Sequence, residues 1–118
     1  MPPLFQELDY RPTDLGPLIL RRRWEPRLAA FIHEIKLGGD FVMTSAVTAS
    51  EVALAERGLA ALAESRPGPG GPDEAAQGWA VAVGGLGLGY TAQAVLADQR
   101  VGQLVVVEYL AGVLDWHR

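Results

Sequence analysis

The sequence predicts an α/β protein, and three observations carry that prediction. Short alternating runs in the N-terminal half read as antiparallel strands, with Gly38-Gly39 as a hairpin turn between two of them. Further on, Trp79–Val83 and Leu104–Val107 are continuous apolar runs, which suit strands of a parallel sheet covered on both faces. Between those runs lie a glycine-rich turn, Gly84 to Gly89, and an Ala-rich helical segment, Tyr90 to Asp98, of the kind parallel neighbours need as a crossover. Together they predict a small antiparallel N-terminal hairpin region followed by the first β-α-β unit of a Rossmann-like, doubly wound sheet.

Taken from the N-terminus, Leu4 to Tyr10 alternates Leu4, Gln6, Leu8 and Tyr10 against Phe5, Glu7 and Asp9, as a strand does. Pro12, Thr13-Asp14 and Gly16-Pro17 punctuate a turn. Leu18 to Trp24 reads as a second strand, with Leu18, Leu20 and Trp24 on one face and Ile19, Arg21 and Arg23 on the other. Because consecutive arginines in a strand diverge, Arg21-Arg22-Arg23 reads as solvated surface in preference to a phosphate patch. Ala30 to Leu37 and Asp40 to Thr44 flank the Gly38-Gly39 turn. His33 lies among apolar neighbours and is expected to be a hydrogen-bonded packing residue. Thr48-Ala-Ser-Glu51 is a capping-box signature for a helix running to about Glu64, with Val52, Ala55, Leu59 and Leu62 on one face. Gly58 inside that helix suggests a close packing contact.

Residues 65–78 hold three prolines and four glycines and read as a linker. The expected domains are therefore 1–64, antiparallel strands and helix; 65–78, linker; and 79–118, a partial nucleoside-binding domain.

Composition narrows the function. The formal net charge is −4, and nine of the ten basic residues are arginine, which argues against a nucleic-acid surface. With no cysteine, thiolate catalysis and thiolate metal sites are excluded. His33 and His117 are too far apart to suggest a helical metal pair, so no metal site is expected. The N-terminus has neither a basic leader nor an apolar core, and no run approaches membrane-spanning length, so the expectation is a cytoplasmic protein without membrane contact.

The turn itself sorts the nucleotide classes. Gly84 to Gly89 followed by Thr91 fits the frame of a P-loop, but Tyr90 stands where the phosphate-neutralising lysine is needed, and that reading is rejected. G-x-G-x-x-G is met at Gly85 and Gly87 and fails at Tyr90, where the dinucleotide fingerprint needs its third glycine. What remains is Gly85, Gly87 and Gly89 at alternate positions, and Glu108, 19 residues past Gly89, at the tip of the second strand. An acid there can accept hydrogen bonds from ribose hydroxyls. The pattern suits a nucleoside carrying an amino-acid tail, with no diphosphate to cradle. A helix following the glycines also aims its first amides at an anionic group such as a carboxylate.

VAVGGLGLGYTAQAVL followed by LVVVEYLAGVLDWHR resembles the spermidine synthase (polyamine aminopropyltransferase) family, within the S-adenosylmethionine-dependent methyltransferase-like fold. In that family a small antiparallel region precedes a Rossmann-like domain, and the turn reads G-G-G-D-G-G. Gly84, Gly85 and Gly89 stand on its glycines, Leu86 and Leu88 replace glycines, Gly87 replaces the aspartate, and Glu108 falls on the ribose-binding acid. The family's D-G-x-x-Q hairpin corresponds to the stretch from Gly39 to Met43, with Met43 in place of glutamine. Its D-E-x-x-Y-H-E helix start corresponds to Ser50 to Glu56. Glu51 and Glu56 match there, while Ser50, Leu54 and Ala55 remove an acid, a phenol and an imidazole from the polyamine pocket.

The resemblance implies a transferase-family protein that binds S-adenosylmethionine or decarboxylated S-adenosylmethionine through Gly84, Gly85, Leu86, Gly87, Gly89 and Glu108. It assigns no catalytic residue here, because the family's catalytic acid lies in later strands. The chain is thus expected to be truncated after the second Rossmann strand, inactive alone and prone to self-association through an uncovered sheet edge. The other readings are an NAD(P)-binding oxidoreductase fragment and a non-catalytic interaction module.

Overall fold

The computed structural model describes residues 3–65 and 78–118 of the chain. The segment expected as a linker, 65–78, lies outside the described residues except at Ser65 and Gly78. The fold is α/β, with a four-stranded antiparallel sheet and a separate two-stranded parallel sheet. Two compact units are formed, Met1–Thr48 and Ala49–Arg118.

The first unit is a meander of β1 (Phe5–Thr13), β2 (Gly16–Glu25), β3 (Ala30–Leu37) and β4 (Asp40–Thr44), in that order across the sheet. Each consecutive pair is joined tightly. Thr13 Oγ1 donates to Gly16 O at 2.6 Å and accepts from Leu15 N–H at 3.1 Å, which fixes the β1–β2 turn. Gly38 and Gly39 take φ of 62° and 95°, the pair of positive values that a two-residue type I′ turn demands. Leu18 and Ile35 are the largest fully buried side chains, and Ile32 is also buried.

The alternation expected of β1 is interrupted. Glu7 pairs with Arg21 but Asp9 pairs with Leu20, so Leu8 is an extra residue, a β-bulge. The bulge moves Tyr10 onto the face that carries Phe5 and Glu7. A second bulge leaves Val42 extra between Phe41, opposite Lys36, and Met43, opposite Ile35.

The second unit contains α1 (Ala49–Ser65), β5 (Trp79–Gly84), α2 (Tyr90–Leu96), β6 (Val101–Val107) and α3 (Ala111–Trp116). Strands β5 and β6 are parallel neighbours, with Val81 opposite Leu104 and Gly84 opposite Val107. Ala55 of α1, Val95 of α2 and Val83 of β5 form a buried cluster, joined by Val81, Ala94, Val101, Leu104 and Val106. Thr91 Oγ1 donates to Glu51 O at 3.2 Å and ties the start of α2 to the first turn of α1.

Three expectations are corrected here. Helix α1, placed with the N-terminal strands on the sequence, belongs to the second unit, because its apolar stripe meets Val83 and Val95. Gly58 makes no close packing contact; a Cβ there would meet open space. Among the described residues, the parallel strands are covered on one face only. Val105 and Val107 are 49% and 66% exposed, and Ala80 and Ala82 beside them are exposed as well. Among the described residues, no helix is long and apolar enough to cross a membrane.

Candidate functional site

The glycine turn joins the end of β5 to the start of α2. Gly84 closes β5 in extended backbone, opposite Val107, and Gly85 N–H donates to Val107 O at 2.8 Å. Gly85, Gly87 and Gly89 then take φ of 92°, 52° and 89°, values that a Cβ strongly disfavours. That is the alternate-glycine pattern read from the sequence, and here the backbone uses it. Gly89 N–H donates to Leu86 O at 2.8 Å, and Gly89 caps α2, its carbonyl accepting from Gln93 N–H at 2.8 Å.

Glu108 follows the last residue of β6 and reaches across to this turn. Its Oε1 accepts from Leu86 N–H at 2.8 Å and from Gly87 N–H at 3.4 Å, and its Oε2 accepts from Leu110 N–H at 3.1 Å. Burial by itself disfavours the charged carboxylate. The backbone amides of Leu110, Leu86, Gly87 and Tyr109 together outweigh that burial and leave the Glu108 pKa below the ordinary glutamate value. At neutral pH the turn therefore faces a fixed negative charge. Of the residues expected in the site, Glu108, Leu86 and Gly87 are brought into direct contact. Gly85 and Gly89 shape the loop, and Gly84 belongs to the strand.

His117 was not anticipated. Its Nε2 lies 2.7 Å from Gly87 O, and because a carbonyl can only accept, Nε2 carries the proton. Its ring also lies close to Gly89: a Cβ built there would sit 3.1 Å from His117 Cε1. No local motif encodes a contact over that sequence distance, so only the folded chain reveals it.

The first unit holds a second polar cluster. The expectation that Arg21 and Arg23 are simply solvated is corrected. The β2–β3 register puts them on one face with Glu34, and their Nε atoms donate to Glu34 Oε1 at 3.0 and 2.9 Å. Glu34 is buried, with 6% of its side chain exposed. Arg23 also donates to Glu25 at 2.8 Å, and these bonds, Glu34 first, raise the arginine's pKa. The Arg21 guanidinium lies over the rings of Phe41 (4.7 Å) and Phe5 (5.4 Å). Both arginines, Glu34 and Phe41 border a concavity of about 550 Å³. His33, expected as a packing residue, is exposed, and its neighbour Glu34 takes the buried position. Among the described residues, no three histidines, cysteines or carboxylates are grouped to hold a metal ion.

Compared with known proteins, the chain matches no family model, no curated protein and no solved structure.

Proposed function

We propose that the second unit binds an adenosine-type nucleoside at the glycine turn, with S-adenosylmethionine or decarboxylated S-adenosylmethionine as the ligand. In this reading β5-α2-β6 is the first β-α-β unit of a Rossmann-like domain of the spermidine synthase kind, and aminopropyl or methyl transfer is the reaction class the resemblance implies.

The contact of Glu108 with the turn carries the proposal. A dinucleotide would set its pyrophosphate against the loop amides. Here the amides of Leu86 and Gly87 already face a carboxylate. A pyrophosphate would meet that negative charge head-on, which costs free energy in a partly buried site. Ribose hydroxyls instead donate to it. The contact to Gly87 is long, at 3.4 Å, and a hydroxyl replaces it cheaply. The open backbone beside Gly84 and Gly85, where added Cβ atoms meet nothing, leaves room for a ligand to approach the main chain.

Calorimetry on the full chain with S-adenosylmethionine, methylthioadenosine and NAD tests the reading. The adenosyl sulfur compounds are expected to bind more tightly than NAD. Tighter NAD binding overturns it.

A further inference from the structure

The Val42 bulge in β4 builds one wall of the concavity in the first unit. In a regular strand residues 41 and 44 lie on opposite faces. The extra residue sets Phe41 opposite Lys36 and Thr44 opposite Glu34, so both share the face that carries Arg21 and Arg23. Each guanidinium there is held by its neighbours. Glu34 Oε1 accepts from the Nε of both arginines, Glu25 Oε2 accepts from Arg23 Nη1, and Arg21 lies over the Phe41 ring. Those bonds use one of the five N–H donors of Arg21 and two of those of Arg23. Among the described residues, the remaining donors meet no protein acceptor. Lys36 adds a third cation: its Nζ lies 5.2 Å from the centre of the ring that Arg21 approaches at 4.7 Å. Two like charges drawn to one ring repel each other, and an anion beside them relieves that repulsion. Glu7, opposite Arg21 in β1, is exposed and, among the described residues, bonds to neither arginine.

We propose that this concavity binds a small organic carboxylate, whose oxygens take the spare N–H donors of Arg21 and Arg23 and whose apolar body lies along Phe41 and Val42. A carboxylate matches the planar fork of a guanidinium with two parallel bonds. Its single charge suits a face on which Glu34 and Glu25 already offset two of the three cations, whereas a phosphate dianion leaves surplus negative charge beside the buried Glu34. A volume of about 550 Å³ with a few fixed polar groups is that of a small-molecule site. The site lies wholly within the first unit and stands whether or not a nucleoside binds at the glycine turn.

NMR titration of the full chain with 3-phenylpropionate and with 3-phenylpropanol, the same body without the charge, tests the proposal. The Nε–H signals of Arg21 and Arg23, fixed by Glu34, report on the site directly. The carboxylate is expected to shift both signals with a dissociation constant of about 1 mM or below, and to bind roughly tenfold or more tightly than the alcohol. Arg21→Lys and Arg23→Lys keep the charge and lose the fork, and each should weaken binding roughly tenfold. Phe41→Ala changes a side chain that is 59% exposed, so the fold tolerates it, and it should weaken binding severalfold through the lost apolar contact. The wild-type titration decides the matter even where a lysine variant fails to fold. Arginine signals that do not move with the carboxylate overturn the proposal, as do equal binding of the alcohol, undiminished affinity in both folded lysine variants, or tighter binding of inorganic phosphate.

Discussion

Gly87 is held from both sides: its carbonyl accepts from His117 Nε2 at 2.7 Å, while its N–H faces Glu108 Oε1 at 3.4 Å. A turn built on positive-φ glycines is intrinsically loose, since glycine has the most conformational freedom to lose on ordering. These two side chains supply the restraint that the glycines do not.

His117→Ala should therefore loosen the turn. Losing one hydrogen bond of this kind costs about 0.5–1.5 kcal/mol, or roughly a threefold to tenfold loss of nucleoside affinity if the turn must be ordered for binding. His117→Gln, which keeps a side-chain donor, should recover part of the loss. Calorimetry on the two variants checks this, together with hydrogen exchange at the turn amides. Unaltered exchange in His117→Ala would show that the contact does not order the loop.

Glu108→Gln should weaken nucleoside binding roughly 10- to 100-fold, because charge-assisted bonds of about 1.5–3 kcal/mol are lost. It should also destabilise the turn, since an amide NH₂ directed at Leu86 and Gly87 faces two donors. The same carboxylate makes stability depend on pH. Its folded pKa lies below the ordinary 4.5, so its contribution is complete above that value and disappears as pH falls through the lower folded pKa. Asp98, lowered to about 2 from 3.8 chiefly by the Arg100 side chain, extends the loss to still lower pH. Urea titrations from pH 6 down to pH 2 (roughly the window these shifts define) should show stability falling with pH in the wild type and falling less in Glu108→Gln.

The glycines of the turn should divide into two classes. Gly89→Ala places a Cβ at φ 89° and 3.1 Å from His117, and should cost about 1–2 kcal/mol of stability. Gly84→Ala adds a methyl group to extended backbone in open space and should change stability by less than about 0.5 kcal/mol. If Gly84→Ala nevertheless lowers nucleoside affinity, the ligand approaches the backbone there. An equal stability cost at both positions would contradict the division.

In the first unit, Glu34→Gln removes the charge that two arginines share. Breaking a buried pair from one side is costly because the partner charges lose their compensation, here about 2–4 kcal/mol given the partial exposure of the arginines. Urea unfolding followed by tryptophan fluorescence should show a large drop in midpoint. A shift near zero would mean that solvent already compensates Arg21 and Arg23.

The sequence by itself determined the local elements, and the reason is that their causes are local. Two adjacent glycines at 38 and 39 permit one tight hairpin. The valine runs of β5 and β6 favour strands, and glycines at 85, 87 and 89 allow the positive φ that their turn adopts. The position of Glu108 just beyond β6 follows from chain order, but its bond to the Leu86 amide of the turn appears only in the folded chain. Only the tertiary structure decided which groups meet across distance. The β2–β3 register, not the identity of any residue, gathers Arg21 and Arg23 around Glu34 and leaves His33 exposed. A single extra residue at Leu8 breaks an alternation that looks regular in the sequence. The apolar stripe of α1 could have packed on either unit, and the cluster of Ala55 with Val83 and Val95 settled it. His117 reaches Gly87 across 30 residues. Periodicity specifies what a residue's neighbours along the chain can do, whereas a contact between distant residues depends on the summed packing of every element between them.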